Sequence, residues 1–106
     1  MKDFAGEKAA LQRAIQLNPN LAEALNQMGY LADRDGDLAQ AEGNFRVAVR
    51  ASPSYVAAWI NLEATLAGEA KWSDAKQTLD HTLEIDPDNA EARRLGEALA
   101  EAHPGP

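Results

Sequence analysis

The sequence predicts an all-α fold, an α-solenoid of stacked antiparallel helix pairs, and three observations carry that expectation. The first is a period. Pro19, Pro53 and Pro87 stand 34 residues apart, as do Phe4, Leu38 and Trp72, and Leu11, Phe45 and Leu79. Columns that return at a fixed period of ~20–50 residues mark an array of stacked repeats. The second is composition: Ala is abundant and β-branched residues are sparse, which favours helix over sheet. The third is punctuation. Proline falls between stretches whose apolar residues recur at helical spacing.

Six helices are expected in order. The first is expected over 4–18, with Phe4, Ala10, Leu11, Ala14, Ile15 and Leu17 on its apolar side. Asn18-Pro19-Asn20 stops it, since the residue before a proline is pushed out of the α region, and Asn20 is placed to cap the next helix. The second, over 21–34, carries Leu25, Met28, Gly29 and Ala32 as one narrow stripe. Gly36, among Asp33, Asp35 and Asp37, marks a turn, and Asp37 is placed to cap the third helix, 38–51. That helix buries Leu38, Ala41, Phe45, Ala48 and Val49, and Ser52-Pro53-Ser54 ends it. The fourth, 55–68, presents Trp59, Leu62 and Leu66, and Gly68-Glu69-Ala70-Lys71 turns the chain. The fifth, 72–85, has Ser73 as its expected cap and Asp74 in its first turn, where the helix dipole favours an acid. Asp86-Pro87-Asp88 closes it, the sixth runs over 89–102, and 103–106 is expected to be a frayed tail. Helices of about 14 residues are marginal alone. Stacking in sequence lets each bury its apolar side on its neighbours.

Charge and composition narrow the partners. Lys and Arg number 10 against 17 Asp and Glu, a net charge of −7, so no basic surface for nucleic acid is expected and an anionic membrane would repel the chain. No apolar run approaches the ~18 residues of a spanning helix, so no membrane insertion is expected. Cys is absent, which removes disulfides and thiol chemistry but leaves the compartment open, with a soluble cytoplasmic protein slightly favoured.

No catalytic constellation emerges, and neither an enzyme nor a cofactor is expected. His81 and His103 are the only histidines, and a metal site needs several converging ligands. His81 is expected to be a solvated side chain beside Asp80. Asp33, Asp35 and Asp37 have calcium-loop spacing without the closing bidentate Glu, and turn and capping use is expected of them instead. Trp59 and Trp72 fall on repeat columns and are expected to pack rather than to stack on a ligand.

The unit beginning at Ala22 places Leu25, Met28, Gly29 and Ala32 on its first helix and Ala41, Phe45, Ala48 and Pro53 on and after its second. The unit beginning at Val56 places Trp59, Leu62, Glu63 and Leu66, then Ala75, Leu79, Thr82 and Pro87. This pattern resembles the tetratricopeptide repeat (TPR), a helix–turn–helix unit of ~34 residues. The resemblance implies a single domain over 1–106: a half unit at 1–21, full units at 22–55 and 56–89, and a capping helix at 90–102. Gly29 and Ala41 are expected to face each other where the two helices approach closest. Glu63 departs from the pattern at a position wanting a small residue, and Glu7 does so in the column of Ala41 and Ala75. Glu63 is expected to reach solvent along its stem or to pair with a cation such as Lys76.

In this family the first helices of successive units line a concave groove. The resemblance therefore implies a peptide-binding groove from Glu23, Asn26, Gln27, Tyr30 and Arg34, then Ala57, Ile60, Asn61 and Ala64, with Arg94 from the cap. Ala57, Ile60 and Ala64 would form its apolar floor. The amides of Asn26, Gln27 and Asn61 would meet a peptide backbone, and Gln27 and Asn61 share a column that resembles the asparagine ladder of some members. Chaperone-binding members hold a carboxylate with Lys, Asn and Arg; the matching positions here are Asn26, Tyr30, Asn61, Glu91 and Leu95, of which Asn61 alone fits, so an acidic chaperone tail is not the expected ligand. The expected partner is a protein or peptide segment. The alternative is a self-associating structural module, or a fragment of a larger TPR protein. The half unit lacks a partner helix, so either a longer array supplies one or a second copy of the chain covers the edge formed by Phe4, Leu11 and Ile15.

Overall fold

The computed structural model describes residues 21–102, together with Gly6, Ala9, Ala10, Arg13, Gln16, Leu17 and Asn18. Among the described residues the fold is all-helical, with five helices: α1 (Ala22–Arg34), α2 (Leu38–Ala51), α3 (Val56–Gly68), α4 (Trp72–Ile85) and α5 (Ala90–Ala102). A sixth was expected over 4–18. Most of that stretch lies outside the described residues, as do Glu7, the tail at 103–106 and the proposed edge residues Phe4, Leu11 and Ile15. The chain divides into two compact units, 1–55 and 56–106.

The first unit pairs α1 with α2 through a tight turn. The N–H of Asp37 donates to the carbonyl of Ala32 at 2.9 Å and that of Gly36 to Asp33 at 3.0 Å, with Gly36 at φ +83°. This pair of hydrogen bonds satisfies carbonyls left over at the helix end and needs a left-handed residue between them, which glycine adopts without strain. Asp37 then caps α2, its Oδ1 accepting from the Gln40 N–H at 3.1 Å. The core of the unit is Leu25, Met28, Ala32, Ala41, Phe45 and Ala48, all buried. The space that a Cβ on Gly29 would take is filled by the Phe45 ring, with Cε1 at 2.5 Å. A large aromatic thus seats against bare backbone.

The second unit repeats the turn with one exchange. Lys71 donates to Leu66 at 2.9 Å and Ala70 to Ala67 at 3.0 Å, but the left-handed position is now Ala70, at φ +59°. Lys71 occupies the cap position of α4 and makes no side-chain cap bond. Ser73 therefore lies inside the first turn of α4 and is not its cap. At the start of α5, Asn89 does cap: its Oδ1 accepts from the Ala92 N–H at 2.9 Å. Likewise α1 begins after Leu21, which offers no side-chain bond, and the expected cap Asn20 lies outside the described residues. Leu62, Leu66, Ala75 and Ala92 are buried in this unit. Three buried threonines satisfy their hydroxyls locally, Thr65, Thr78 and Thr82 each donating to the carbonyl four residues back at 2.7–2.9 Å.

Candidate functional site

In the first unit, the helical period brings Glu23, Gln27, Tyr30 and Arg34 to an exposed side of α1. Tyr30 is 50% exposed, and the Arg34 guanidinium carbon lies 5.7 Å from its ring centroid. That distance is within reach of a cation–π contact. Asn26, half-buried, donates from Nδ2 to the Tyr55 hydroxyl at 3.4 Å. Its amide is thus engaged inside the unit as well as bordering the exposed face.

In the second unit, Ala57 and Ala64 are exposed on α3 and Asn61 is half-buried, while Arg94 is exposed on α5. Ile60, expected at the floor of a groove, is 6% exposed. The side chain that would anchor a ligand by size is thus almost fully engaged in the fold, and the alanines on either side are what α3 presents. His81 is exposed, as expected, and it also makes contacts. Its ring packs on Trp59 at 4.3 Å between centroids, and Nδ1 lies 3.9 Å from Glu84. Trp59 is half-buried, and this pairing puts its indole to a packing use.

Glu63 is the largest departure from expectation. It neither reaches solvent nor pairs with Lys76. It is 1% exposed, and neither carboxyl oxygen has a hydrogen-bond partner among the described residues. Burial pushes its carboxyl up from 4.5 to about 7, because the charged form loses hydration without gaining a partner. In the repeat columns, Gly29 and Phe45 of the first unit correspond to Glu63 and Leu79 of the second. A smaller residue on one helix goes with a larger one on the other.

Glu63 also lines a cleft of about 330 Å³ within the second unit, with Ala64, Ala67, Trp72, Leu95 and Leu99 among the other walls. Of the residues that helical spacing puts on the groove side of α3 and α5, Ala64, Ala67, Leu95 and Ala98 line it; Ala57, Asn61 and Arg94 do not. The sequence signal for it was Ala64, Ala67 and Ala98, small residues at helical spacing on α3 and α5, beside an acid in a small-residue column. Among the described residues no group of acidic or histidine side chains could hold a metal ion, and no helix is long and apolar enough to cross a membrane.

A family model described as a tetratricopeptide repeat matches residues 34–100, and a second of the same description matches 10–43. The chain is 32% identical over 102 residues to the tetratricopeptide repeat domain-containing protein PYG7, chloroplastic, of Arabidopsis thaliana, covering 92% of this chain and 34% of that protein. It thus spans about a third of that curated relative's length. Among solved structures, the first TPR of Spaghetti (RPAP3) bound to the HSP90 peptide SRMEEVD superposes with a TM-score of 0.86 at 21% identity, over 92% of this chain and 78% of that one. YrrB, a TPR protein with an unusual peptide-binding site, gives 0.76 at 31% identity, over 82% of this chain and 45% of that one.

Proposed function

The chain belongs to the tetratricopeptide-repeat family, and on that premise we propose that it is a non-catalytic interaction module that binds a peptide segment of a partner protein. One observation carries the reading. Of the large hydrophobic side chains in the five described helices, Tyr30 is the one left exposed, at 50%. An aromatic side chain offers a large apolar area with a polar tip at low entropic cost, which is why such residues anchor interfaces. Arg34 beside it supplies a cation, and Gln27 an amide, on the same side of α1. On the second unit, exposed Ala57 and Ala64 leave room for a ligand backbone to approach α3. Solved neighbours of the same fold hold HSP90 and HSP70 peptides, which supports a peptide as the ligand class.

Selection from a random peptide library, followed by fluorescence anisotropy of the selected peptides, tests the reading. Tyr30→Ala is expected to weaken binding about tenfold or more, on the scale of a single anchor residue, with helicity unchanged. Unchanged affinity in Tyr30→Ala combined with Arg34→Glu would remove α1 from the site. Ile60→Asp is unsuited as a groove variant, because Ile60 is buried.

A second reading, self-association through the N-terminal edge, is favoured by Leu17, which is 83% exposed. Light scattering across a concentration series decides it: a strict monomer at high concentration removes the idea.

A further inference from the structure

The cleft of the second unit is apolar except at one point. Glu63 is the one ionisable side chain among those lining it. Its carboxyl is buried, and neither oxygen accepts a hydrogen bond among the described residues. A carboxyl group in that position is costly, and a cation delivered by a ligand would offset the cost. The volume, about 330 Å³, is at the small end of the range for ligand sites.

We propose that this cleft seats a lysine side chain of the partner segment, its methylene stem lying against Ala64, Ala67 and Leu95 and its ammonium pairing with Glu63. The inference rests on the peptide-binding reading for the source of the lysine. Three features favour this occupant. The apolar walls suit a four-carbon stem, which buries readily while its head seeks a polar partner. An ammonium has three donors, of which the two Glu63 oxygens can take two and water at the mouth the third; a guanidinium has five, and would leave more of them unpaired. The net charge of −7 draws cationic segments toward the chain. Glu63 must turn toward the cleft as the ammonium enters. Its oxygens give up no hydrogen bond in doing so, and the side chain has three torsions to turn about.

The probe is n-butylammonium chloride, a lysine side chain without its backbone, titrated at pH 8 into the ¹⁵N-labelled chain, with n-butanol as the neutral counterpart. Saturable shifts are expected at the amides of Ala64, Ala67, Leu95 and Ala98, with a dissociation constant on the order of millimolar. Butanol is expected to bind about tenfold more weakly or less, and Glu63→Gln to weaken butylammonium by about the same factor. Glu63→Gln removes only the charge, so its spectrum is expected to stay folded; Glu63→Leu serves as a second variant with an apolar side chain of similar size. Equal binding of butylammonium and butanol, undiminished binding in both variants, or no saturable shift in the parent chain overturns the site. Tyr30→Ala is expected to leave butylammonium binding unchanged. Loss of the butylammonium site with peptide binding intact refutes the lysine seat alone, whereas peptide binding indifferent to Tyr30 refutes the wider reading.

Discussion

Replacing Glu63 by Gln converts the buried carboxyl into a neutral group of the same shape, and the stability gained should depend on pH. In the folded chain its pKa is about 7, against 4.5 ordinarily. The folded value lies above the unfolded one, so the native state binds the proton more tightly. Below pH 4.5 the group is protonated in both states and carries no penalty. Between 4.5 and 7 the unfolded chain ionises first, and stability falls as pH rises. Above 7 the folded chain carries a buried charge with no partner, and the loss is complete. A shift of that size corresponds to about 3 kcal/mol. Glu63→Gln should therefore match the parent chain near pH 4 and exceed it by about 3 kcal/mol at pH 8. Urea unfolding of both proteins, followed by circular dichroism at the two pH values, measures this, and other titrating groups cancel in the difference. An equal difference at both pH values, or a less stable Gln variant at pH 8, would mean that Glu63 meets solvent or a cation after all.

Further substitutions probe the packing and the turns. Gly29→Ala drives a Cβ into the Phe45 ring, which is 2% exposed and cannot swing aside, and should cost roughly 1–3 kcal/mol despite the better helix propensity of Ala; Gly96→Ala meets only the flexible end of Leu79 and should cost less in the same urea melts. Ala70→Gly relieves the left-handed strain at φ +59° and should stabilise the second unit by about 0.5–1 kcal/mol, seen as a higher melting temperature. Asp37→Ala removes the cap of α2 and should cost about 1 kcal/mol in the same melts.

The regular part of the fold was legible because periodicity encodes it. The stretches over Leu38–Ala51 and Trp72–Ile85 match α2 and α4 to the residue, and the other described helices begin one residue later than expected. Proline and glycine mark these ends through fixed local physics. The caps were half legible. Asp37 and Lys71 hold the same place in the repeat, and the expectation passed over Lys71, which cannot accept a bond, for Ser73, which stands too late in the helix. Where two columns change together, single-column reasoning failed. Glu63 looked too large for its place because Gly29 sets the standard there, yet it is 1% exposed, and the column of Phe45 holds the smaller Leu79. The contact of His81 with Trp59 joins two helices and leaves no periodic trace. On α1, Glu23, Gln27, Tyr30 and Arg34 from the spacing-derived set are exposed, whereas Asn26 is half-buried against Tyr55. On α3 the same spacing could not reveal that Ile60 is buried while Ala57 and Ala64 are exposed.

Mapping a library-selected peptide onto the ¹⁵N-labelled chain tests the account at its centre. The amides shifted at saturation in the first unit should be those of Glu23, Gln27, Tyr30 and Arg34 on α1. Shifts gathered instead on exposed positions of α2 and α4, such as Gln40 and Gln77, would contradict the account and move the binding surface to the other helix of each pair.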